Sequence, residues 1–170
     1  MEYNLVETWL RRDPIRWIAG ILGGIFAGLL AMAVAVAVSS SLGWDPTFPI
    51  KLMGTPVLGA IATDLQSSQG IVAGALFIEA IAIFWGVVFA HFTGTNSVSA
   101  LLGMGLAWGA FSWIFTWNLF LQSFKPIFAA GIPAGAALPV CFAYGLGLVS
   151  VSFFDRILRG TAAVSSNGTH

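Results

Sequence analysis

WIAGILGGIFAGLLAMAVAVAVSSS, residues 17–41, runs for about 25 residues without a single charge. As a helix rising ~1.5 Å per residue it extends roughly 37 Å, more than the ~30 Å of a bilayer's hydrocarbon core. The stretch is continuously apolar rather than alternating. A helix satisfies its own backbone groups where no water is present, so a transmembrane helix is the element expected here. Three further stretches read the same way, from about Gly70 to Phe92, Val98 to Leu121 and Ile132 to Phe154. The fold expected is an all-α, transmembrane four-helix bundle with spans at 17–41, 70–92, 98–121 and 132–154. The transmembrane domain is then 17–154, flanked by a cytoplasmic segment 1–16 and a cytoplasmic tail 155–170. The tail is rich in Ser, Thr and Asn after Gly160 and reads as partly disordered.

Composition demands the same solvent. Charged residues make up 8% of the chain and hydrophobic ones 58%, whereas soluble domains carry about 25% charged residues. Seven basic and seven acidic side chains balance with no basic stripe, which removes the electrostatic basis for a nucleic-acid partner. The lone Cys141 excludes a disulfide framework, a CxxC motif or zinc spacing and reads as a small buried residue. Arg11, Arg12 and Arg16 before the first apolar run imitate a signal peptide. The run is too long for a signal h-region of about 7–15 residues, so it is expected to remain as an uncleaved span.

Lys and Arg set the orientation. Arg11, Arg12 and Arg16 flank the first span and Arg156 and Arg159 the last, while the opposite loops hold only Lys51 and Lys125. Both termini are therefore expected in the cytoplasm of a bacterial cell, with the protein in the inner membrane. Trp17, Trp44 and Trp117 lie near span ends, where interfacial aromatics collect. Residues 43–69 form a long outer loop that carries Pro46, Pro49 and Pro56 among apolar residues; it is expected to lie at the interface or to re-enter the bundle. Asp45, Lys51 and Asp64 on it read as solvated, or as contacts for a metal or a soluble partner.

Shifting the second span by 61 positions lays Gly70, Ile71, Ala73, Gly74, Ala82 and Gly86 on Gly131, Ile132, Ala134, Gly135, Ala143 and Gly147. Two tandem hairpins explain this match, and so does chance in Gly/Ala-rich helices. Small residues four apart recur on every span: Gly20, Gly24 and Gly28, Gly70 and Gly74, Gly105 and Gly109, Gly131 and Gly135. In lipid such residues let backbones approach and hold helices together, within one chain or between subunits. Trp108, Phe111, Trp113, Phe115, Trp117 and Phe120 on the third span are more than the centre of a four-helix bundle accommodates. Some are expected to face lipid, a partner subunit, or an embedded pigment or quinone.

Glu79 is the sharpest polar feature, roughly 13 Å below the outer boundary. A carboxylate at that depth costs several kcal/mol unless protonated, paired or hydrated. It shares a face with Ala75, Ala82, Gly86 and Ala90; Ser112, Thr116, Cys141 and Tyr144 lie at similar depth on the other spans. The expectation is a neutral Glu79 hydrogen-bonded to Tyr144 or Ser112. It serves as a proton or cation relay or ligand contact, or as a polar clasp between helices. His91 closes the second span. It reads either as a haem or chlorophyll ligand or as an interfacial histidine among headgroups, and with His170 at the chain end it has no second membrane histidine. Glu79 and His91 are twelve residues apart, about 18 Å, too far for one active site. Asp155 and Arg156 read as interfacial anchors. No nucleophile–base pair, phosphate loop or metal cluster emerges, so the chain is not expected to be an enzyme.

The succession GGIFAGLLAM (23–32), PIKLMG (49–54), WGVVFA (85–90), GMGLAWG (103–109) and AYGLGL (143–148) resembles uncharacterised bacterial four-span inner-membrane proteins, including the YagU-like group. The resemblance covers about 130 residues and implies location and topology rather than activity. Where such relatives tend to carry a histidine near the middle of the second span, this chain has Glu79 or its neighbours.

Three functions follow as expectations. The first is a non-catalytic accessory subunit of a larger membrane complex, respiratory or photosynthetic electron transport among them, partnered by lipid and by other membrane subunits or its own copies. The second is a small oligomeric transporter or channel using Glu79. The third is a pigment- or haem-associated protein using His91. No cofactor is required by the sequence; lipid, quinone and pigment are the candidates.

Overall fold

The computed structural model describes residues 13–64, 66–93, 97–116 and 134–167, with side chains from 135 to 161 in the last segment. Helix α1 spans Pro14–Ser41. Its start is local chemistry: the Asp13 side chain accepts from the backbone N–H of Ile15 and Arg16, and Pro14 occupies a first-turn position that needs no donor. Two short helices, α2 (Phe48–Met53) and α3 (Thr55–Leu58), and a 3-10 turn at Gly59–Thr63 form the long first loop. Helix α4 spans Ser68–Phe92 and is capped by Ser67, whose hydroxyl accepts from Gly70 N–H. Helix α5 is Val98–Phe115, α6 Ala134–Leu148 and α7 Ser150–Asn167. No strand occurs among the described residues.

Four helices are long and apolar enough to cross a membrane: Pro14–Ser41, Ser68–Phe92, Val98–Phe115 and Gly135–Thr161. The last joins α6 to α7 through a hitch at Val149, where the hydrogen bonds shorten to Val149 N–H to Leu146 O and Ser152 N–H to Val149 O. One end of the bundle carries Arg16, Arg156 and Arg159, the other the α2–α3 loop.

α1 is the central helix, packed against α4, α6 and α7, and α5 packs along α6. The buried positions of α1 are small: Ala19, Gly20, Gly23, Gly24, Ala27, Gly28, Ala31, Ala35 and Ser39. Its large side chains point outward, Leu29 being 55% and Phe26 48% exposed. A water-soluble helix buries the large and exposes the polar. Here lipid takes the large residues, and contact inside depends on backbones coming close.

α4 and α5 are held differently, by interleaved rings. Trp108 meets Trp85 and Phe89 edge-on at 5.7 and 5.5 Å, and Trp85 also meets Phe111 and Phe115. Part of the third-span aromatic surface is therefore occupied within the chain, while Phe111 stays 43% exposed. Trp117 and Phe120 lie outside the described residues.

Beyond Gly160 α7 continues to Asn167. Arg159 pairs with Asp155 one turn back and with Asp13 across the bundle. One expectation needs correction: the long first loop is not simply solvated. Lys51 is 3% exposed and bonded to Asp45 at 2.8 Å, because α2 lies on α4 with its Ile50–Leu52 stretch buried.

Candidate functional site

The helix seams locate the polar residues. A Cβ added at Gly24 would lie 2.6 Å from the Ala82 carbonyl oxygen and 2.8 Å from Ile83 Cα, and one at Gly20 would lie 2.8 Å from Val87 Cα. α1 and α4 thus run backbone on backbone through Gly20, Gly24, Ala82 and Gly86. Gly105 and Gly109 make the equivalent seam on α6, against the carbonyls of Gly145 and Cys141. Gly70 and Gly74 do not join spans: they admit the loop, Gly70 against Ala62 and Gly74 against Ile50. Gly135 meets nothing within 4 Å among the described residues, and Gly131 lies outside them. Gly86 and its duplicated counterpart Gly147 both pack on α1, at Gly24 and Ala27 respectively, so the two halves do not make equivalent contacts.

Gly28 differs from Gly20 and Gly24. What lies over it is a side chain: its Cβ would fall 2.8 Å from Glu79 Oε1 and 2.9 Å from Oε2 and Cδ. Both residues sit midway along their helices. The two carboxyl oxygens are buried and have no hydrogen-bond partner among the described residues, which corrects the expected bond to Tyr144 or Ser112. The reason is that Tyr144 spends its hydroxyl elsewhere, donating to the Ala82 carbonyl at 3.1 Å.

Ser112, Thr116, Cys141 and Tyr144 instead share a cavity of about 230 Å³ in the loop-end half of the bundle. α1 lines it with Ala31, Ala35 and Ser39, α4 with Ile78, Ala82 and Trp85, α5 with Phe111 and Phe115, and α6 with Ala137 and Val140. Trp44, Pro49 and Ile50 of the loop complete the wall. α4 faces the cavity with Ile78 and Ile81, whereas Glu79 turns to Gly28. The polar residues named together from sequence therefore divide between two places.

His91 is 9% exposed. Its Nδ1 donates to the Val87 carbonyl at 2.7 Å and its ring meets Trp17 edge-on at 5.9 Å. It faces protein rather than headgroups, because Trp17 of α1 covers it. At the loop end Asp45 accepts from Lys51 Nζ and from the backbone N–H and hydroxyl of Thr47. The Lys51 ammonium, followed by Thr47, holds the Asp45 carboxyl well below the ordinary aspartate value, at about 2. At the other end Asp13 is also held low, chiefly by Arg159.

Sequence reasoning missed the cavity, the pairing of Gly20 with Gly86, the Gly145 contact and the Asp13–Arg159 clasp. Asp13-Pro14 was a legible helix start; its partner 146 residues away was not. No group of three or more metal-ligating side chains occurs among the described residues. No protein-family model, no curated protein and no solved structure matches this chain.

Proposed function

We propose that this membrane-spanning protein is a non-catalytic accessory subunit of the bacterial inner membrane, with both termini cytoplasmic. It seats the apolar tail of a lipid or quinone between its spans and docks against other membrane subunits. The cavity carries this reading. An engineered apolar cavity of about 150 Å³ already takes up benzene, and here about 230 Å³ is walled by all four spans and the loop. Its lining is aliphatic and aromatic, with Ser39, Ser112, Thr116 and Tyr144 as the few polar groups. This composition fits a hydrocarbon chain better than a polar solute. The five flanking arginines support the orientation, which places the cavity in the outer half of the membrane.

The test is purification in mild detergent followed by extraction and mass spectrometry. One long-chain lipid or quinone per chain is expected, retained through washing, and lost when Ala35→Phe and Ala137→Phe fill the cavity. Stoichiometric co-purification of other membrane subunits is expected alongside. A lone chain that carries no apolar-tailed molecule defeats the proposal.

A further inference from the structure

A carboxyl group buried at the midpoint of two packed helices, with neither oxygen bonded, has to be balanced by something. Among the described residues its neighbours supply no cation. α1 has no titratable side chain between Trp17 and Ser41, and α4 has none besides Glu79 until His91 at its far end. α6 presents Tyr144, committed to the Ala82 carbonyl, and Cys141, which lines the cavity. On α2, Lys51 is bonded to Asp45. Asp155, Arg156 and Arg159 of α7 lie at the opposite end of the bundle from the loop. An ionised carboxylate left uncompensated in an apolar interior costs far more than its neutral acid. The enclosure is also tight: the group fits because Gly28 has no side chain, a Cβ there falling 2.8 Å from Oε1. A coordinated metal ion needs several oxygen ligands, and no cluster of such side chains stands here among the described residues.

We propose that Glu79 on Gly28 is a proton-binding latch: the neutral acid closes the α1–α4 seam at mid-membrane, and loss of the proton opens it. The carboxylate leaves Gly28 for water, and the Gly24–Ala82 approach next to it loosens. The site is separate from the cavity and does not depend on what the cavity holds.

The full chain in liposomes tests this by infrared difference spectroscopy across pH. A protonated-carboxyl band is expected at pH 7, absent in Glu79→Gln, shifted in Gly28→Ala and lost on raising the pH. Backbone hydrogen exchange around Gly24 and Ala82 should accelerate at least tenfold, beyond the intrinsic increase, over the same pH interval. In Glu79→Gln, a neutral residue of the same size, that excess should vanish. Labelling of Glu79 by dicyclohexylcarbodiimide, read by mass, should fall with rising pH and ignore sodium at fixed pH. A missing band at pH 7, exchange indifferent to its loss, or protection by sodium each overturns the proposal.

Discussion

Gly24→Ala tests the claim that backbone approach holds this bundle together. The new methyl would lie 2.6 Å from the Ala82 carbonyl oxygen and 2.8 Å from Ile83 Cα, both backbone atoms of a packed helix, against the 3.4 Å of ordinary contact. The α1–α4 seam must therefore widen by about 0.8 Å locally. Overpacking of this kind costs about 1–3 kcal/mol, and the upper half applies because neither atom ends a flexible side chain. The better helix propensity of alanine offsets at most about 1 kcal/mol. The net expectation is a loss of roughly 1–2 kcal/mol. Gly103→Ala is the control: that glycine meets nothing within 4 Å, so only the propensity gain remains and stability holds or rises by up to about 1 kcal/mol. Unfolding in mixed dodecyl maltoside and SDS micelles, followed by circular dichroism, measures both. If the two variants prove equally stable, the seam is not where the stability resides.

Acid should release the long first loop before the spans. Asp45 has a folded-state value of about 2, below its unfolded one, so its contribution is full above about pH 4 and is lost as pH falls towards 2. Trp44 fluorescence should report this change, and Asp45→Asn should show the released signal already at neutral pH. Arg159→Gln removes the bonds to Asp13 and Asp155. These groups are partly exposed, so the expected cost is about 0.5–1 kcal/mol, with faster hydrogen exchange confined to the first turn of α1 and the α7 turn around Asp155.

The spans were legible because charge-free runs of this length have one physical solution in lipid. The first two helix ranges match to within three residues for the same reason. Contact partners were not legible. Gly24, Gly70 and Gly135 look alike in sequence, yet one meets α4, one meets the loop and one meets nothing among the described residues. A glycine records that space is short on one face, not what fills it. The same limit explains Glu79. Its depth and its small-residue face followed from helical spacing, but its lack of a bond depended on Tyr144 choosing the Ala82 carbonyl. Lys51 looked solvated because loops with prolines usually are; burial came from α2 lying down on Gly74.

The cavity follows from a contrast in side-chain size. Where α1 meets α4 and α5 meets α6, glycines remove the side-chain layer and the axes close up. Where α4 meets α5, Trp85, Trp108, Phe111 and Phe115 keep them apart. α1 and α6 still meet closely at Ala27 and Gly147, so the space is left along the α4–α5 side alone. Towards the arginine end Phe89 and Phe92 pack on Trp108 and fill it. Towards the loop end Trp85, Phe111 and Phe115 line the space without filling it, and it stays open as far as Trp44, Pro49 and Ile50. The loop's burial is then a consequence as well. A bundle with this gap needs a cover, and residues 44–53 supply one by bending over it, anchored by Lys51 on Asp45 and by the glycine notch at Gly74.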